Sequence, residues 1–202
     1  MSEWSGVLDC FVTPIYNTVL QLNHTKISNY LLEQEKTLKS SWKNNVGGFE
    51  SADLWQSHKD KLQEYGCFTE FKKHIKLYQD KVGLSDLKIE RLWFSVMRYR
   101  DCVRFHSHNE AVICGTYYPQ TPLQSGNIQF EHPAIDRFEV TWKERNMAAY
   151  NEYTGRLITP KVTEGRLLLY PGYLRHWVEP HLNETEARVA LSFTCVRNEI
   201  IV

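Results

Sequence analysis

No excess of charge marks this chain. Lysine and arginine number 24, aspartate and glutamate 24. A nucleic-acid module usually shows a basic balance and a polybasic membrane-surface protein needs one, so neither is expected. No apolar run approaches the ~18 residues of a membrane span. The opening MSEWSGVLDCFVTPIY has no basic stretch followed by a long apolar one, and no secretory signal is expected. Cysteines are few and scattered: Cys10, Cys67, Cys102, Cys114 and Cys195, none in a CxxC pair. Such usage gives no sign of a disulfide framework or a zinc knuckle, and it suits a reducing cytoplasm. Repeats, low-complexity tracts and Pro/Gly-rich linkers are missing too. A chain of 202 residues is then expected to form one domain, 1–202, long enough to bury a sizeable core.

What is present changes texture near residue 85. Before it the pattern is mainly helical. Ile27, Tyr30, Leu31 and Leu38 fall near helical spacing behind Asn23 and Thr25 as caps. Phe68, Phe71, Ile75, Tyr78 and Val82 step by three and four, and Gly83 supplies a stop. Both stripes read as core-facing. His24, His58 and His74 lie in this half and read as surface residues.

After residue 85 short β segments alternate with turns. Leu87, Ile89, Arg91 and Trp93 alternate in the first. Ala111 to Tyr118, Asn127 to Phe130, Leu167 to Tyr170 and Arg188 to Cys195 follow. Many short strands with turn signals suggest a sandwich or barrel. Residues 134–160 are more polar. They read as a long excursion with local helix around Lys143 to Tyr150, bordering a binding mouth through Trp142, Lys143, Arg145, Tyr150 and Tyr153.

The strongest chemical signal is His106-Ser107-His108. Residues i and i+2 on an extended segment point to one side, so two imidazoles can meet one metal ion. His176, after the turn that follows Leu167 to Gly172, is the best third ligand. Three such ligands occupy one face of a six-coordinate ion and leave positions open. On spacing alone, a pair of histidines in a polar loop is the competing reading. His132 and His181 lack a partner at ligand spacing. Arg188 begins an apolar strand, which is awkward unless it binds an anion, and its planar fork suits a carboxylate. It could equally reach solvent or pair with Glu184 or Glu186. Of Tyr117 and Tyr118, strand alternation allows only one to face a pocket.

With HxH, a later histidine and a strand arginine beyond it, the sequence resembles the 2-oxoglutarate/Fe(II)-dependent dioxygenase superfamily, and within it a small branch from bacteria and phages. The likeness runs along nearly the whole chain. Phe11 to Tyr16 looks like that branch's opening strand. Asn44-Asn45-Val46-Gly47-Gly48-Phe49-Glu50-Ser51 looks like its Gly-Gly segment. Cys114 to Tyr118, Ser125 to Phe130 with Pro133, and Gly165 to Pro180 fit further blocks.

The resemblance implies a mainly β fold: a double-stranded β-helix, the cupin-like jelly-roll barrel, with N-terminal helices packed on one outer face. Residues 1–85 would be support and 86–202 the jelly-roll core carrying the site. It implies Fe(II) as metal and 2-oxoglutarate as cosubstrate. The iron ligands would be His106, His108 and His176. Arg188 would hold the distal carboxylate, Tyr118 would donate to it, Ser192 would assist and Thr116 would line the pocket. The implied reaction converts 2-oxoglutarate and dioxygen to succinate and carbon dioxide and hydroxylates a substrate that the sequence does not identify. Most of the superfamily has a carboxylate where His108 stands; Glu110 or Glu131 is the alternative ligand. Rival readings are a metal-dependent cupin-like enzyme without 2-oxoglutarate and a non-catalytic jelly-roll binding module. The expected location is the cytoplasm, the host's if phage-encoded. The oligomeric state is left open, a homodimer included.

Overall fold

A computed structural model describes residues 10–41 and 43–198; the segment read above for a leader begins outside them. Among the described residues eleven strands form two antiparallel sheets. The larger sheet contains β1 (Tyr16–Val19), β9 (Arg166–Pro171), β6 (Ile113–Gln120), β11 (Arg188–Arg197), β4 (Leu87–Met97) and β3 (Phe49–Glu50), in that spatial order. The smaller runs β2 (Asn45–Val46), β5 (Cys102–His106), β10 (His176–Val178), β7 (Ile128–Glu131), β8 (Leu157–Ile158). The opening strand starts at Tyr16 rather than Phe11, which is exposed and holds a positive φ of 57°.

Strand alternation gives the larger sheet two faces with different tasks. Tyr117, Leu167, Leu169, Val189, Leu191 and Phe193 point outward into a core shared with the helices. Met97, Cys114, Tyr118, Leu168, Tyr170 and Ala190 point inward and pack with Val103, Ile128 and Phe130 of the smaller sheet. The adjacent tyrosines divide as expected: both are fully buried, Tyr118 inside the barrel and Tyr117 beneath the helices.

The helices are α1 (His24–Glu35), α2 (Trp55–Glu64), α3 (Cys67–Val82) and α4 (Ile135–Thr141). Asn23 caps α1 by accepting from Lys26 N–H, and left-handed Gly83 ends α3. The apolar stripe of α3 docks on the sheet through Phe71, whose ring stacks on Phe193 at 4.8 Å. Such a pair contributes about 0.5–1.5 kcal/mol beyond its buried area. The sequence pattern does not mark α2, which buries only Leu62.

Three expectations are corrected. First, Leu87, Ile89, Arg91 and Trp93 do not share one face. Thr194 pairs with Arg91 but the next residue, Cys195, pairs with Ile89, so Glu90 is an extra residue in β4. This bulge flips the alternation, leaving Ile89 and Leu92 in the helical core and Arg91 and Trp93 on the cavity side. Second, the helix in the excursion is α4; Glu144–Asn146 forms only a short 3-10 turn. Third, His74 is buried, sharing a 2.7 Å hydrogen bond with the Tyr16 hydroxyl, and His24 shares one of 2.6 Å with Tyr117. Each imidazole gives a phenol hydroxyl its partner, fully buried at Tyr117 and half-buried at Tyr16. Among the described residues no helix is long and apolar enough to cross a membrane.

Candidate active site

β5 and β10 are neighbours in the smaller sheet, and His106 pairs directly with His176. His108 lies just past β5, in a turn whose N–H donates to Gly172 O at 2.8 Å. Gly172 permits this approach: a Cβ there would meet Ala111 O at 2.1 Å and His108 O at 2.7 Å. The turn before His176 is thereby pressed against the turn that carries His108. The three histidines converge, each offering a ring nitrogen, with all three within 4.8 Å of one another. Ring centroids stand 4.3 Å apart for His106 and His176 and 4.9 Å for His106 and His108.

Two of the rings have a fixed tautomer. His106 Nδ1 lies 2.8 Å from Arg104 O and His176 Nδ1 2.8 Å from Leu174 O. A carbonyl only accepts, so Nδ1 carries the proton and Nε2 keeps a free lone pair. Burial lowers all three imidazole pKa values, with the other histidines adding to the effect at two of them. His108 falls to about 4 and His176 to about 3. At neutral pH the cluster presents three uncharged nitrogen donors, a set suited to a divalent first-row metal. Glu110 is exposed, and Glu131 binds Arg175 at 2.6 Å; neither belongs to the cluster.

The histidines line a narrow cavity between the sheets that also holds Arg188, Tyr118, Thr116, Ser192 and Tyr170. Its free space of about 50 Å³ takes roughly four water-sized groups, room for the carboxylate end of a ligand. Arg188 is 2% exposed and forms no ion pair with Glu184, Glu186 or any other described residue. Its Nη1 reaches only Met97 Sδ, its Nε has no partner, and its plane lies over the Tyr118 ring at 4.9 Å. The Tyr118 hydroxyl is drawn to the guanidinium electrostatically, yet makes no well-formed hydrogen bond. Burial raises the pKa of both Tyr118 and Tyr170, so each phenol stays protonated and can donate. Burial pulls the arginine the other way, but a guanidinium remains charged in proteins. A buried charge with no counter-ion is costly, and a carboxylate entering beside it removes that cost. The cavity therefore fits a metal ion at one end and an anionic ligand at the other.

Sequence reasoning named six of these residues together with Arg188, and missed Tyr170, Trp93 and Glu50. Tyr170 sends its hydroxyl to within 3.2 Å of Thr116 Oγ1 and 3.5 Å of His176 Nε2. Its position on the same strand face as Leu168 was the available signal. Trp93 packs its ring on His108 at 5.4 Å. Glu50 joins the inner face through pairing of β3 with β4 opposite Ser95, a long-range contact with no local signature. The excursion 134–160 contributes no described residue to the cavity wall.

Two facing antiparallel sheets around a polar cavity, helices on one outer side, make this a double-stranded β-helix protein. Known structures agree. The fold is similar to that of SnoN, a non-heme α-ketoglutarate-dependent epimerase of nogalamycin biosynthesis: TM-score 0.62, 13% identity, covering 92% of this chain and 77% of that one. It is also similar to HygX from Streptomyces hygroscopicus, solved with nickel and 2-oxoglutarate bound: TM-score 0.60, 11% identity, 92% and 84% covered. A Pseudomonas putida prolyl-4-hydroxylase matches at TM-score 0.60 and 12% identity, with 93% and 94% covered. At such identities these likenesses speak for the fold. No curated protein matches the sequence. The model of a family described as "Putative 2OG-Fe(II) oxygenase" matches residues 91–194, just over half of the chain. The chain belongs to that family of 2-oxoglutarate–Fe(II) oxygenases, enzymes that use Fe(II) and 2-oxoglutarate.

Proposed function

We propose that His106, His108 and His176 hold the Fe(II) and that Arg188 anchors 2-oxoglutarate. The carrying observation is that three uncharged imidazole nitrogens within 4.8 Å share one cavity with a buried arginine that has no counter-ion. Arg188 grips the distal carboxylate through its fork, and Tyr118 donates a hydrogen bond to it. Ser192 Oγ lies 3.4 Å from Thr116 Oγ1, and this hydroxyl pair flanks the same carboxylate. Leu168, Ile128 and Phe130 pack in the apolar core around the cavity, and a low-dielectric surround strengthens each of these contacts. When bound, Fe(II) with 2-oxoglutarate and dioxygen supplies oxidative decarboxylation to succinate and carbon dioxide and the oxidant for a substrate C–H bond. The chain's own part is to hold, orient and exclude water. We read the product as an alcohol, the chain as one oxygenase domain, and residues 1–85 as its N-terminal strand and helical support, which also lends Glu50 to the cavity.

A three-histidine donor set also suits a cupin-like metalloenzyme without 2-oxoglutarate. Such a protein has no use for a buried guanidinium without a counter-ion beside the cluster. Anaerobic titration with Fe(II) and then 2-oxoglutarate tests the proposal. A weak visible charge-transfer band that saturates with the second addition is expected. Stoichiometric iron without that band would favour the cupin-like enzyme.

A further inference from the structure

The inner face of the larger sheet continues past the histidines. In register, Met97 stands opposite Arg188, Ser95 opposite Ala190, Trp93 opposite Ser192 and Arg91 opposite Thr194. At about 3.3 Å per residue, Thr194 lies roughly 20 Å along β11 from Arg188. The guanidinium is at one end of this ladder. At the other end a second cleft opens, sharing His106, His108, Trp93 and Glu50 with the first cavity. It has about 100 Å³ of free space, room for roughly eight water-sized groups.

Several polar groups of this cleft lack a full set of partners. Thr194 is 6% exposed and its Oγ1 has no partner. Glu50 is 8% exposed; one carboxylate oxygen accepts from Ser41 Oγ at 3.2 Å, and no cation pairs with it among the described residues. The Gly47–Gly48 turn, with φ of 75° and 65°, holds Glu50 there; a Cβ on either residue would collide with Asp101. At the rim Lys43 and Arg91 are exposed, and neither forms an ion pair among the described residues. Burial raises the pKa of Glu50, and Lys43 and Arg91 act through space to lower it.

A ligand of one sign does not suit this arrangement. A pure anion would satisfy Lys43 and Arg91 but meet the buried Glu50 carboxylate. A pure cation would satisfy Glu50 but pass two like charges at the rim. A ligand carrying both signs matches every group. We propose that the cleft binds the substrate and that the substrate is a small zwitterion, an α-amino acid being the simplest case. Its anionic group lies between Lys43 and Arg91, and its ammonium faces Glu50, with Thr194 accepting a second hydrogen bond. The assignment as substrate rests on the oxygenase reading of the neighbouring histidines.

The test is calorimetric titration of the full chain, loaded with Ni(II) and 2-oxoglutarate, against each proteinogenic L-amino acid in turn. Any that binds is compared with its N-acetyl and carboxamide derivatives. At least one amino acid is expected to bind with a Kd of about 1 mM or tighter. Each blocking group should weaken binding by about tenfold or more, the loss of one charge-assisted contact. Glu50→Gln should erase the preference for the free amine, and Lys43→Gln with Arg91→Gln the preference for the free carboxylate. The two rim residues are exposed, so their variant folds and carries the test even if the buried Glu50 variant does not. Failure of every amino acid to saturate by about 10 mM, or equal binding of blocked and free forms, overturns the proposal. Titration of 2-oxoglutarate into the same protein separates the two readings. If 2-oxoglutarate binds and no amino acid does, the zwitterion assignment fails alone. If 2-oxoglutarate does not bind, the oxygenase reading fails and the substrate role falls with it.

Discussion

Arg188 and Met97 face each other across β11 and β4, and the guanidinium directs its Nη1 proton at the methionine sulfur, 3.2 Å away. A thioether is a weak acceptor. The strongest donor in the cavity is thus matched with its weakest acceptor. An arriving carboxylate displaces that contact without breaking any ion pair of the protein.

Removing the fork should therefore act on the cosubstrate alone. Truncating one partner of a buried, hydrogen-bonded charge pair costs roughly 2–5 kcal/mol. Arg188→Leu is expected to weaken 2-oxoglutarate binding by about 30-fold to a few thousand-fold and to leave Fe(II) binding nearly unchanged. Arg188→Lys should fall between, since an ammonium keeps the charge and loses the bidentate geometry. Anaerobic titration of the charge-transfer band reads both. Parent-like 2-oxoglutarate affinity in Arg188→Leu would remove the cosubstrate assignment.

Loss of His108 should act on the metal. With only His106 and His176 left, His108→Ala is expected to bind no stoichiometric iron, measured by elemental analysis after dialysis. His108→Asp restores a two-histidine, one-carboxylate set and should keep iron and part of the turnover. If His108→Ala retains full iron, the second ligand is another residue.

Gly172 has a structural role with a functional readout. A methyl group at this position overlaps two backbone oxygens, so Gly172→Ala must part the two turns. Overpacking of this kind costs about 1–3 kcal/mol of stability. A lower melting temperature and weaker iron binding are expected together. A variant with lower stability but undiminished iron affinity would show that the contact does not set the spacing of His108 and His176.

Acid should destabilise the metal-free protein early. An unfolded histidine takes a proton near pH 6.5, whereas folded His108 waits until about pH 4 and His176 until about 3. Between these values the unfolded chain binds more protons, so stability rises with pH. The contribution is whole above pH 6.5 and drains away as pH falls toward 4 and 3. The melting temperature of the metal-free protein should thus drop between pH 6.5 and 5, before most carboxylates titrate. His108→Gln should make that slope shallower. A flat profile over this interval in the parent would contradict the burial of the cluster.

Much of the site was legible because its residues are close in sequence or sit at strand positions with fixed direction. His106 and His108 share a side by spacing, and Arg188 is conspicuous in an apolar strand. Ser192 follows from period-two alternation with Arg188, whereas alternation left Tyr117 and Tyr118 open and the resemblance chose Tyr118. Glu50 was not legible, because it reaches the cavity through an edge strand paired with residues far along the chain. The role of Trp93 and Arg91 was hidden by the extra residue at Glu90, which no composition rule announces. The helix α2 was missed because its amphipathic face is thin, one buried leucine in ten residues. The excursion's helix was misplaced, since α4 starts from a local contact, Ala134 N–H donating to His132 Nδ1 at 3.0 Å.

The extra residue at Glu90 divides β4 into two segments of opposite phase. Before it Leu87 and Ile89 face the helical scaffold; after it Leu92, Phe94 and Val96 face that scaffold while Trp93 and Ser95 face the cavity. Removing that residue would put the whole strand back into one phase. Either Arg91 and Trp93 would turn toward the helices or Ile89 would turn away from them. The bulge thus acts as a phase break between scaffold and mouth. Beyond it, alternate residues such as Trp93 and Ser95 can meet a ligand, while Leu92, Phe94 and Val96 between them stay committed to holding the barrel.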